Sequence, residues 1–228
     1  MKENLDPIEN IVQNLKNKSS VKQKTYHHLC ATFEALSNRS KEVVKEIKTR
    51  ITDVDKEVTV AFKKISEREF HVKVAGDLVI FVLHTNIITF PDDHGIIKSR
   101  YVAEDDNRRY FGQIMMYNFM SDSVKYNRMD DSGYLLGRIL INYENHFFVE
   151  GEGQLNFMFD NLSEKIINKM DIDVIIKLAI TTAATSDLIT PPFQEIKHIK
   201  LFDKVESTQS MGGGRKIGFL MSYNDKIS

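Results

Sequence analysis

Between residues 57 and 151 the apolar side chains recur at every second position, in short runs separated by tight turns. No other feature constrains the fold as strongly. Val58, Val60 and Phe62 alternate with Thr59, Ala61 and Lys63, and Phe70, Val72 and Val74 alternate with His71, Lys73 and Ala75. Gly76-Asp77 is expected as a two-residue turn, after which residues 78–83 return as a strand apolar on both faces. Residues 86–90 predict a further short strand, stopped by Pro91. Strands joined this closely pair antiparallel, because a parallel crossover needs about a dozen residues.

The segment 133–154 carries the clearest hairpin. Leu135, Gly137, Ile139 and Ile141 alternate with Leu136, Arg138, Leu140 and Asn142. Glu144-Asn145 is expected as a two-residue turn, since asparagine tolerates positive φ. Glu150-Gly151-Glu152-Gly153 follows the second strand, and the glycines allow a sharp exit. The apolar spacing then changes to Leu155, Met158, Phe159, Leu162 and Ile166, which predicts a helix over 155–169. A second helix is expected from Asp171 to about residue 186.

The N-terminal part is helical by pattern. Asp6 and Pro7 form a start signal, and Ile8, Ile11, Val12 and Leu15 make one apolar stripe, which Asn17-Lys18-Ser19 is expected to end. A capping-box pattern at Ser20–Gln23 opens a second helix. There Leu29, Phe33, Leu36, Val43, Ile47 and Val54 recur at near-heptad steps, over roughly 45 Å at about 1.5 Å per residue. The seam serves either the chain's own sheet or a second copy of the chain.

Composition narrows the class. Lys+Arg of 31 against Asp+Glu of 32 gives a formal net charge of -1, without the footprint of a dedicated nucleic-acid binder. A lone Cys30 leaves no internal disulfide and no cysteine-based zinc site. No apolar run approaches the roughly 18 residues of a membrane span, and residues 1–10 lack a signal-peptide core, so a cytoplasmic setting without membrane association is expected.

The strong catalytic and nucleotide-binding motifs are missing, and Met211–Arg215 (MGGGR) precedes a strand-like run where a phosphate cradle would precede a helix. Single histidines in strands, and His27-His28 beside Cys30, make poor metal sets. Residues 110–120 are rich in Met and aromatics, and Met115, Met116 and Tyr117 are the candidates for an adaptable pocket. The most chemical-looking group is Asp131, Glu150 and Glu152. In its strand–strand–helix order and acidic spacing this stretch is similar to the core of restriction-endonuclease-like, metal-dependent nucleases. That resemblance implies a Mg²⁺ or Mn²⁺ site on these carboxylates, with nucleic acid contacted by Arg108, Arg109, Lys125 and Arg128. Glu152 stands where that family places a lysine.

The expected architecture is α+β in one domain over 1–228: a helical segment at 1–56, antiparallel strands at 57–151, a helix pair at 152–190 and a C-terminal hairpin at 191–228. About 7–9 strands form the sheet, with the long N-terminal helix and the helix pair packed on it. The expected function is a cytoplasmic ligand-binding or protein-interaction module that forms a homodimer through the long helix. The alternative is a Mg²⁺-dependent nuclease or phosphodiesterase.

Overall fold

Alternation over residues 60–151 builds one antiparallel sheet of six strands, β1 (Val60–Ser66), β2 (Glu69–Val74), β3 (Asp77–Ile88), β4 (Phe111–Met120), β5 (Tyr134–Ile141) and β6 (Phe147–Gly151). The computed structural model describes residues 6–187 except 52, 54, 130, 152 and 163–165, together with 194, 197 and 201. Spatial order equals sequence order, so every strand neighbours the one before it. The strand count among the described residues is therefore below the seven to nine expected. One reason is that residues 86–90 do not form a strand of their own. β3 continues through an irregularity between His84 and Ile88 and takes that segment with it. The C-terminal hairpin expected at 191–228 falls almost wholly outside the described residues.

The turn between β2 and β3 is Ala75-Gly76, one residue earlier than expected, with Val74 paired to Asp77. Ala75 holds φ at +52°, a region in which a Cβ is strained.

Two helices cover one face of the sheet. α2 (Ser20–Arg50) buries Leu29, Phe33, Leu36, Ser40 and Val43, the near-heptad seam, and α6 (Lys169–Thr185) buries Ile172, Ile175, Ile176, Ala179 and Ala183. Together with Phe70, Val72, Phe81, Ile114, Met116, Ile139 and Val149 from the strands they make the main core. Each of the Val, Leu, Ile, Phe and Met side chains among them contributes about 1.5–3 kcal/mol by leaving water. The small residues of α6 let the helices approach closely, and Arg39 of α2 ties them together through Asp173 at 2.7 Å. Asn168 and Asp171 form a reciprocal capping box at the start of α6.

Of the expected helix pair only α6 is formed at length. The preceding segment makes the short α5 (Gln154–Met158), because Phe159 leaves the helix to accept the Val149 amide at 2.8 Å. Ile167 N–H likewise donates to Asn145 O, and Ile166 bridges His146, so this segment shields the β6 edge.

A satellite cluster on the opposite face packs Phe90, Val102, Phe111, Leu140, Phe148 and Leu162 beneath the loop 89–110, which holds α3 (Arg100–Glu104) and a 3₁₀ turn at Asp106–Arg109. α4 (Ser121–Lys125) follows β4.

The N-terminal helix does not stop at residue 17 as expected, and Ser20 does not cap a new helix. α1 (Pro7–Asn14) passes through a π turn at Leu15–Ser19 directly into α2, so residues 7–50 form one continuous rod. Asp6 caps it by accepting from Ile8 N–H. Among the described residues no helix is long and apolar enough to cross a membrane.

Candidate functional site

The hairpin β5–β6 closes through a three-residue loop, where two residues were expected. Asn142 N–H donates to His146 O, and Asn145 takes φ +65°. The Asn142 side chain, fully buried, accepts from the amides of Glu144 (3.1 Å) and His146 (3.0 Å) and fixes the loop. Around this tip lies a polar cluster. Tyr101 donates its hydroxyl to Glu144 at 2.6 Å, and Arg108 approaches the same carboxylate to 2.9 Å while stacking on the Tyr101 ring. Tyr143 donates to Asp105.

Burial pushes the Glu144 carboxyl up, but the hydrogen bonds from Tyr101 and Arg108 outweigh it and hold it below its ordinary range. The Tyr143 phenol holds the Asp105 carboxyl low. Burial, with a carboxylate beside each ring, raises both phenols above their usual value. Every charge here is answered by a neighbour in the same chain, so the cluster clamps the loop 89–110 onto the hairpin.

The sequence-predicted carboxylates lie in different surroundings. Glu150 on β6 sits directly across from Arg138 on β5 and is ion-paired with it. Asp131 lies before β5, with its side chain only 6% exposed, accepts from Ser123 Oγ at 2.5 Å and is 3.5 Å from Arg128. Glu152 lies outside the described residues. Among the described residues no three His, Cys, Asp or Glu side chains stand close enough to share a metal ion. Of the four cations expected to contact nucleic acid, Arg108 pairs with Glu144, Arg109 with Asp92 and Asp106, and Arg128 with Asp131, while Lys125 lies over the Tyr126 ring. The pleat of β4 separates the expected pocket residues. Met116 is fully buried in the main core, whereas Met115 and Tyr117 point to the opposite face and are half-buried, so the three do not line one cavity.

The helical rod offers a different kind of site. α1 buries no residue at all; Ile8 is 68% exposed, and Ile11 and Leu15 are 58% exposed. The π turn accounts for this. Ser20 N–H reaches back five residues to Leu15 O, which inserts one residue into the helical count. One residue is about 100° of helix rotation, so the α1 stripe is turned away from the side on which α2 meets the sheet. Lys18 and Lys22 lie over the Tyr110 ring and Lys24 over the Tyr143 ring, which seats this part of the rod at the end of the sheet that bears the polar cluster.

At the other end of the rod a groove of about 200 Å³ opens between α2 and α6. Val43, Ile47 and Ile180 form its apolar floor, and Glu46, Arg50 and Lys177 its rim. The stripe on α1 is visible in the sequence. The groove is not, because it needs residues 43–50 and 177–181 brought together by the fold.

No protein-family model matches the chain, and the comparisons with curated proteins and with solved structures found no match.

Proposed function

We propose that this chain is a protein-interaction module that self-associates through the N-terminal end of its helical rod. One observation carries the reading: α1 and the first residue of the π turn present Ile8, Ile11 and Leu15 to solvent along one face of a capped helix that buries none of its own residues. Side chains at i, i+3, i+4 and i+7 are the anchors by which an amphipathic helix enters an apolar groove. The α2 seam, expected to serve either the chain's own sheet or a second copy, is occupied internally, since Leu29, Phe33, Leu36 and Val43 lie in the chain's own core. A reducing, cytoplasmic setting goes with this reading, as the lone Cys30 offers no internal disulfide.

Light scattering at micromolar concentration is expected to give twice the mass of the chain. The double variant Ile11→Asp/Leu15→Asp is expected to halve that mass while leaving the far-ultraviolet circular dichroism unchanged. A wild-type monomer at these concentrations overturns the proposal.

A further inference from the structure

We infer that the seat for each α1 stripe is the same stripe on a second copy of this chain, laid antiparallel about a two-fold axis that passes between Ile11 and Val12. The inference rests on the self-association reading and assigns its partner surface and direction.

Access is the first argument. Counted at about 100° per residue, with the extra residue of the π turn allowed for, Ile8, Ile11 and Leu15 lie on the opposite side of the rod from Leu29, Phe33 and Leu36, which face the core. A second helix laid on the stripe therefore stands clear of the sheet and of α6. The two folded bodies lie on the outer sides of the helix pair.

Extent is the second. Val12, half-buried, completes a face at i, i+3, i+4 and i+7. Past Leu15 the same side of the rod is polar, with Gln23 and His27 hydrogen-bonded to each other. The apolar face is thus about two turns long, with an aliphatic side chain at each end and two between. A two-fold axis through its centre sets Ile8 on the other copy's Leu15 and Ile11 beside the other copy's Val12. Every apolar side chain of one stripe then meets an apolar one of the other, and the contact closes as a dimer. Two turns per copy make a small interface beside the roughly 1,200–2,000 Å² of a standard one, so the dimer exchanges its subunits readily.

Charge fixes the direction. Glu9 and Lys16 border the stripe on one flank, and the other flank carries the uncharged Pro7 and Asn14. Both charges are exposed, and neither makes an ion pair among the described residues; Glu9 accepts a hydrogen bond from Gln13. A two-fold axis across the rods keeps the same flank of both copies on one side. Each Glu9 therefore faces the other copy's Lys16, and the pair is made twice. Laid parallel, Glu9 lies level with the other copy's Glu9 and Lys16 with its Lys16, so neither charge is answered at its own level.

The test combines cross-linking with a charge exchange. In a Cys30→Ser background, chains carrying Ile8→Cys are mixed with chains carrying Leu15→Cys and oxidised gently. The expected product is a mixed disulfide dimer. Neither variant alone is expected to cross-link, because antiparallel pairing separates each position from its own copy by about 10 Å along the helix axis. In the native background Glu9→Lys chains and Lys16→Glu chains are each expected to dimerise about tenfold more weakly than wild type, and to recover when mixed, since each then answers the other's charges. A dimer by light scattering that gives no mixed product, that cross-links through Ile8→Cys alone, or that ignores both charge variants overturns the stripe-on-stripe assignment and leaves self-association standing. A wild-type monomer overturns both.

Discussion

Glu144 shows how a single carboxylate holds a loop. It accepts from Tyr101, faces Arg108 and sits on a hairpin tip whose own backbone is fixed by Asn142. Its folded pKa lies below its ordinary value, which for an unfolded chain is about 4.3. A depressed carboxyl stabilises the fold fully above the unfolded pKa and loses that contribution as pH falls through the folded one. Asp105 and Asp173 are depressed too, so they steepen the same acid limb. Thermal melts between pH 7 and pH 3 are expected to show wild-type stability declining below about pH 5. Glu144→Gln is expected to give a shallower decline, with its deficit against wild type largest near neutrality. A parallel pair of curves would mean that Glu144 does not titrate with folding.

At the scale of the element, the π turn decides what the rod can do. If it turns the α1 stripe aside by inserting one residue, removing one residue restores the phase. Deletion of Asn17 is expected to convert residues 7–50 into an uninterrupted α-helix with the stripe rotated by about 100°. The dimer is expected to be lost in sedimentation, while the denaturant midpoint, compared at concentrations too low for the wild type to dimerise, moves little, because nothing in α1 is buried. A deletion variant that stays dimeric separates the turn from the interface.

The strands were legible in the sequence because period-two alternation and tight turns are local. Val60–Val74 and both arms of the β5–β6 hairpin follow from it. What was not legible depended on partners distant in sequence. Residues 155–169 have helical spacing, yet the β6 edge takes Phe159 and Ile167 out of a helix. Asn17-Lys18-Ser19 is a plausible stop, but Lys18 and Lys22 on Tyr110 favour continuing the helix. The acidic pattern at Asp131 and Glu150 was plain, whereas their arginines, Arg128 and Arg138, are revealed by the turn after α4 and by cross-strand register.

For the whole molecule, self-association links stability to concentration. A partner that binds the folded chain and not the unfolded one raises the melting temperature by mass action. Calorimetry over a hundredfold range of protein concentration is therefore expected to show a rising Tm for the wild type. Ile11→Asp/Leu15→Asp is expected to show a constant one. A wild-type Tm independent of concentration throughout the range would place the dimer outside the folding equilibrium.

The strictly sequential order of the sheet bears on how the chain is made. Each strand can pair with its predecessor as soon as both have left the ribosome, and β1 to β6 is a series of short-range closures. The covering layer has the opposite timing. α2 is synthesised before any strand, yet α6, the helix it packs against, is the last long element among those described. Until about residue 185 has emerged, Leu29, Phe33 and Leu36 have only part of their final surroundings. A nascent chain stalled before α6 thus leaves part of that apolar face uncovered, and the emergence of α6 is the step that covers it.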